Sequence, residues 1–164
     1  MYCCYTDGSC KSGPAAPGGW GFWIKQPDGT TLEGHGGAAK TLSKIMEYTA
    51  VAEALQALPS GARATVFSDS QSLVENCRKR LDAWRRSECG KVDAEILDAV
   101  RRIATLVSEK NLFLEWQWIR GHNGNAGNER ADALAARGAR EAKAALEKEE
   151  QEARERARGQ AKSR

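Results

Sequence analysis

A mixed sheet carrying helices on both faces is the fold class this chain predicts, from three observations. Five short stretches have the apolar or alternating pattern of strands, and longer stretches between them place apolar residues at helical spacing. The two kinds interleave as three strands, helix, strand, helices, strand, helix, the order of an α/β layer structure and not of separate all-α and all-β units. A chain of 164 residues, 41% hydrophobic and 29% charged, is one domain-sized unit able to bury a core.

Residues 1–10 open with Tyr2-Cys3-Cys4-Tyr5 and read as the first strand. Gly13-Pro14 through Pro17-Gly18-Gly19 reads as a loop, and Trp20 to Lys25 as the second strand. Pro27-Asp28-Gly29 signals a turn, so Thr30 to Gly37 should return as its hairpin partner. From Ser43 to Leu58 the apolar residues Ile45, Val51, Leu55 and Leu58 are helically spaced, and Pro59-Ser60-Gly61 stops the helix. Residues 63–68 form a short strand. Ser68-Asp69-Ser70 then offers caps for a basic helix running to about Arg86. Asp93 to Ser108 is a further amphipathic helix. Leu112, Leu114, Trp116 and Trp118 alternate up to Ile119, which marks the fifth strand. The final helix starts near Asn125–Asn128. Past Leu146 apolar residues nearly vanish, and Glu150–Arg154 and Glu152–Arg156 are spaced for i, i+4 pairing. Residues 1–140 therefore read as the folded domain, which the resemblance given below makes the catalytic one, and 141–164 as a charged helical extension.

No apolar run approaches membrane-spanning length, and no basic segment followed by a long apolar one opens the chain. Five cysteines without C-x-x-C pairs argue against a disulfide framework and against structural zinc, so a cytoplasmic, reducing location is expected. Net charge is only +3, but residues 76–91 concentrate Arg78, Lys79, Arg80, Arg85, Arg86 and Lys91 against Asp82 and Glu88. Such a stretch suits phosphate contact as well as a solvated, salt-bridged helix face.

Four acids stand where a carboxylate needs explaining. Asp7 and Asp69 each close an apolar strand-like run, Glu47 lies among Ile45, Met46 and Val51, and Asp132 follows Gly121-His122-Asn123-Gly124. Each has a plain structural alternative. Asp7 before Gly8 suits a turn, Glu47 the dipole of a first helical turn, Asp69 a cap, and Asp132 a pair with Arg130 or Arg137. Jointly they suit hard divalent cations such as Mg²⁺, two of which can clamp a phosphodiester for hydrolysis. His122, in a loop of glycine and asparagine, suits a mobile proton carrier. His35 falls on an outer strand with no evident partner.

Tyr5-Thr6-Asp7-Gly8-Ser9-Cys10, Met46-Glu47, Ser68-Asp69-Ser70-Gln71, Gly121-His122-Asn123-Gly124 and Asn128-Glu129-Arg130-Ala131-Asp132 together resemble bacterial type 1 ribonuclease H, in that family's order, over roughly residues 1–140. The resemblance implies a ribonuclease H-like fold with a five-stranded mixed sheet. It also implies endonucleolytic hydrolysis of the RNA strand of RNA–DNA hybrids, leaving 3′-hydroxyl and 5′-phosphate ends. Asp7, Glu47, Asp69 and Asp132 match the metal-binding carboxylates, with two Mg²⁺ (or Mn²⁺) ions per site during turnover, and His122 the loop histidine. Gly8, Ser9, Cys10 and Gln71 match positions that approach the hybrid. Residues 78–91 resemble the basic protrusion on the DNA strand, which puts Arg78, Arg80, Arg85 and Arg86 on the substrate; Trp84 among them suits stacking or core burial. The chain departs from the family in a shorter protrusion, in Ser43-Lys44-Ile45 where asparagines are usual, and in a Lys11–Pro17 loop with Ala15-Ala16. A monomer is expected. A catalytically silent hybrid binder and a DNA-cutting nuclease of the same fold are the competing readings; the N-terminal Met favours a free-standing protein over a reverse-transcriptase fragment.

Overall fold

In the computed structural model, residues 1–10 and 16–164 are described. The strands are β1 (Tyr2–Cys10), β2 (Ala16–Lys25), β3 (Thr31–Thr41), β4 (Arg63–Ser68) and β5 (Phe113–Trp118). The helices are α1 (Ser43–Ala57), α2 (Gln71–Arg85), α3 (Leu97–Glu109) and α4 (Ala126–Lys162). They build one sheet ordered β3-β2-β1-β4-β5. The pairs β1–β2 and β2–β3 are antiparallel, and β1–β4 and β4–β5 are parallel. The expected mixed five-stranded sheet is therefore present.

Several boundaries differ from expectation. Pro17-Gly18-Gly19 is not loop but part of β2, because Gly18 and Gly19 each pair with both β1 and β3, while Pro17 sits at the irregularity between Ala16 and Gly18. The hairpin return continues past Gly37 to Thr41 for the same reason. The Lys11–Ala15 part of the expected loop lies outside the described residues. The helix expected from Asp93 begins with a 3-10 turn, Ala94–Ile96, before α3 proper.

Period-2 alternation assigns the sheet's two faces. Cys4, Phe22, Ile24, Ala64 and Val66 join α1, α2 and α3 in the main core, with Val51, Leu55, Leu73, Val100 and Ile103 all but inaccessible. Trp84, in the basic segment, is buried there too, at 4% exposure, so core packing and not stacking is its role. The opposite face carries α4, laid across β1, β2 and β3. That helix lies unusually close to the strands. A Cβ on Gly21 would come within 2.5 Å of the Ala135 nitrogen and 2.6 Å of the Ala131 carbonyl oxygen. Backbone cannot yield as a side-chain tip can, so glycine here is a spatial requirement.

Beyond Ala139 no residue of α4 is buried, yet the helix runs unbroken to Lys162. The boundary expected at residue 140 thus falls inside one continuous helix. No helix among the described residues is long and apolar enough to cross a membrane.

Arg78 has a structural partner. The Phe113 N–H donates to the Ala62 carbonyl and the Ile119 N–H to that of Ser68, both at 3.0 Å, so odd-numbered β5 residues bond towards β4. The carbonyl of even-numbered Trp116 therefore faces the open sheet edge, where Arg78 Nε and Nη2 donate to it at 2.9 and 2.6 Å. A charged side chain over an edge strand also discourages pairing with another chain.

Gly21→Ala should cost about 1–3 kcal/mol of folding stability, the usual scale of overpacking, because only α4 itself can move to make room. Urea unfolding measures it, and an unchanged midpoint would mean that α4 docks more loosely than described.

Candidate active site

The five-strand order puts the ends of β1 and β4 side by side. β1 outruns its parallel neighbour: pairing with β4 ends at Tyr5–Phe67, while Asp7 still pairs with Gly21 of β2. Asp7 is therefore inside β1 and not at its close, but just beyond the reach of β4. Asp69 follows the last residue of β4 directly. Two carboxylates thus stand just past the point where the parallel pairing of β1 with β4 ends, on the carboxyl side of the strands where α/β sheets favour ligands.

Glu47 reaches the same end because α1 abuts β1. A Cβ on Gly8 would fall 2.6 Å from the Met46 carbonyl carbon and 2.9 Å from the Glu47 Cα. Asp132 arrives on α4, one residue past Ala131, whose carbonyl rests on Gly21, the strand partner of Asp7. The loop after β5 closes the fourth side. Trp118 Nε1 donates to the Asp69 carbonyl at 3.0 Å, and a Cβ on Gly121 would lie 2.7 Å from Asp69 Oδ2. His122, next in that loop, is exposed and holds a left-handed backbone, φ 54°. Asn125 caps α4, its side chain accepting from the Asn128 N–H at 3.0 Å.

The plain structural explanations of the four acids fail one by one. Asp7 sits in a strand, and its Oδ1 accepts the neighbouring Gly8 N–H, at 2.8 Å. No acid lies in the first turn of α1, so Glu47 does not serve the helix dipole. The cap of α2 is Ser70, which accepts from the Leu73 N–H, and not Asp69. Arg130 pairs with Glu33 and Arg137 with Glu141, which leaves neither for Asp132.

Electrostatics join the acids. Burial, then the charge of Asp69, pushes Asp7 up to about 8 against the pull of the Gly8 N–H, and Asp132 adds to the rise. Glu47 is also raised, by burial first and by Asp69, with a hydrogen bond to Ser70 and the charge of Lys44 opposing. Asp69 is raised by burial and then by Asp132, with His122 opposing. Asp7, Glu47 and Asp69 thus each sense another acid, although among the described residues no three acidic, His or Cys side chains converge into a closed ligand cage. An all-oxygen donor set whose members repel one another fits hard divalent cations, which would offset that repulsion.

The candidate substrate contacts are less uniform. Gly8 is covered by α1, and Ser9 is half-buried opposite Gly19. The Cys10 thiol turns towards the carbonyls of Ala16, Pro17 and Thr41 at 3.6–3.7 Å. Gln71 is exposed at the start of α2, its amide donating to Glu75 at 3.2 Å. Arg80 is exposed, whereas Arg85 reaches Ser108 at 3.1 Å and Asp82 at 3.8 Å, and Arg86 pairs with Glu88 at 3.1 Å. Two neighbours of the acids are not expected from sequence: Ser70, legible there only as a cap, and Trp118, legible only as a strand residue.

Residues 1–140 match the family model described as RNase H. The chain is 41% identical over 137 residues to the ribonuclease H of Albidiferax ferrireducens, covering 82% of this chain and 91% of that protein. It is 41% identical over 138 residues to that of Cupriavidus pinatubonensis, covering 82% and 92%. Among solved structures it is similar to LC9-RNase H1, a type 1 RNase H with the type 2 active-site motif (TM-score 0.70, 26% identity, 84% and 71% of the two chains). LC11-RNase H1, solved with an RNA/DNA hybrid, shares the fold (TM-score 0.67, 23% identity, 87% and 99%).

In EDTA the folded Asp7 keeps its proton up to about pH 8, while the unfolded chain loses it near 3.8. The native state therefore binds more protons across that window, and its stability falls as pH rises through it. Asp7→Asn removes this loss. Its melting temperature should match wild type near pH 4 and exceed it by roughly 5 °C at pH 8; a difference independent of pH would show that Asp7 is not so perturbed.

Proposed function

The chain belongs to the RNase H family, and from that membership we propose an endonuclease that hydrolyses the RNA strand of RNA–DNA hybrids, leaving 3′-hydroxyl and 5′-phosphate ends. It is a ribonuclease H-type nuclease; the hybrid, the two-ion mechanism and the residue roles are our reading. The observation that carries it is the meeting of Asp7 and Asp69 at neighbouring strand ends with Asp132 and Glu47 brought alongside.

Asp7, Glu47, Asp69 and Asp132 would hold two Mg²⁺ (or Mn²⁺) ions. Bound there, such ions lower the pKa of a coordinated water and stabilise charge on a departing oxygen. The protein contributes the rest. Gly8 and Gly21 set the approach of α1 and α4, and so the spacing of the acids. Trp118 fixes the backbone of Asp69, and Ser70 orients Glu47. His122, exposed on its loop beside Asp69, carries a proton at the scissile phosphate's water or leaving oxygen.

Telling RNA from DNA requires the 2′-hydroxyl, displayed in the wide minor groove. Gly8, Ser9, Cys10 and Gln71 border the acids and are proposed to read it, with the backbone of Ser9 and Cys10 favoured over the inward-turned Cys10 thiol. Arg80, Arg85 and Arg86 are proposed to meet phosphates of the DNA strand, and Arg78 to support that helix from behind. The hybrid bound by LC11-RNase H1 supports this choice of substrate. We propose residues 1–140 as the catalytic unit, residues 141–164 as its charged helical extension, and a cytoplasmic monomer as the working form. All five cysteines are free, which supports a reducing setting.

An end-labelled RNA–DNA hybrid, incubated with Mg²⁺, Mn²⁺ or EDTA beside duplex DNA, duplex RNA and single strands, tests the reading. Only the RNA strand of the hybrid should be cut, and only with metal; cutting of duplex DNA would move the chain to another activity. Asp7→Asn should lower kcat at least about 100-fold, the scale on which losing one charge-stabilising group slows catalysis, while hybrid binding persists. Retained turnover would sink the metal assignment.

Replacing Arg80, Arg85 and Arg86 with Ala should flatten the salt dependence of hybrid binding by about 0.9 in log–log slope for each phosphate no longer neutralised. Arg78→Ala should instead lower the melting temperature and leave that slope alone. The reverse pattern would exchange the two roles.

A further inference from the structure

A site made of four acids repels a phosphodiester, so on the hybrid-nuclease reading above the cations beside it matter, Lys44 first among them. Lys44 stands three residues before Glu47 on α1, a spacing that puts the two side chains on one helix face. Its ammonium is also ion-paired with Asp93, which precedes the 3-10 turn at the end of the basic segment. Both partners are about half exposed (44% and 50%), so water screens the pair and it exchanges readily. Several other basic side chains of the region are paired in the same way, Lys79 with Glu75, Arg85 with Asp82 and Arg86 with Glu88, but none of these stands on the helix that carries Glu47.

We infer that Lys44 is a substrate-contacting residue that binds a backbone phosphate of the hybrid next to Glu47, and that Asp93 is an internal stand-in for that phosphate which the substrate displaces. The geometry suits the exchange. A carboxylate and a phosphodiester each present paired anionic oxygens to an ammonium, and neither partner need leave its helix or turn for the ion pair to open. The contact would carry charge and no base information, so it should strengthen binding to every hybrid sequence alike.

The pair makes opposite demands on its two members, which gives the test its power. Binding of a short fluorescent hybrid is measured across a salt series in an Asp7→Asn background, which separates binding from turnover. Lys44→Ala should weaken binding about 3- to 10-fold and reduce the salt slope by about 0.9, as expected when one phosphate fewer is neutralised. Asp93→Asn should tighten binding by a similar factor, because Lys44 no longer has a competitor. The double variant should match Lys44→Ala alone. In otherwise unmodified enzyme, Lys44→Ala should raise KM by a larger factor than it lowers kcat. If Asp93→Asn tightens binding equally with and without Lys44, it acts only by removing a negative charge, and the inference is overturned. Unchanged binding in both single variants overturns it as well. Thermal melting of each variant guards against misfolding. Failure of the wild-type enzyme to cut hybrid would count against the proposed function instead, since the binding measurements need no cleavage.

Discussion

The contact between α4 and the glycine-bearing face of β2 is the constraint on which the site depends. A side chain at Gly21 would meet main-chain atoms of Ala131 and Ala135, so the helix sits at a distance that only glycine permits. Gly21 is also the strand partner of Asp7. The same closeness that packs the helix therefore delivers Asp132, the next residue after Ala131, to the neighbourhood of Asp7. Gly8 makes the matching arrangement on the other face, where α1 is drawn against β1 and Glu47 comes with it. Two missing side chains, one on each face, bring acids from separate helices to one strand end.

Folding gains nothing from that gathering. Asp7, Glu47 and Asp69 are all pushed to higher proton affinity, in each case chiefly by burial and then by another acid. A carboxylate kept for stability would have been given a cation or a run of N–H donors; among the described residues the N–H donor to Asp7 is that of Gly8. Nearby arginines that could have neutralised Asp132 are directed outward to Glu33 and Glu141. The strain is thus local and chemically specific, the pattern expected where charge is held ready for a ligand.

Legibility in the sequence follows the range of the interactions involved. Strands β1, β4 and β5 and helices α1 and α2 are readable because alternation, helical spacing, Pro59 and Ser70 act within a few residues. Pro17-Gly18-Gly19 reads as loop because its composition is a loop's, whereas its strand character comes from pairing with residues of β1 and β3 elsewhere in the chain. The four acids are legible as a set, but the surroundings that distinguish them from caps and surface pairs are not. That Trp118 would hold the Asp69 carbonyl, or that Arg78 would turn from a surface patch to the Trp116 carbonyl, depends on strand order and on which β5 carbonyls face outward. No local pattern carries that.

The long exposed end of α4 follows from the same docking. An isolated helix of that composition would have to form its own first turn, which is unfavourable. Here the turns from Ala126 to Ala139 are already fixed by packing on the sheet, so each later residue adds a hydrogen bond without a new nucleation step. Ala, Glu, Lys and Arg dominate that stretch and cost little to extend. Acids and bases alternate through most of it, but its last acid is Glu155, and Arg156, Arg158 and Lys162 end the helix without another. Cations at the carboxyl end complement the helix dipole there. About 35 Å of helix beyond Ala139 thus persists with none of its residues buried, held by a template at one end and by charge order at the other.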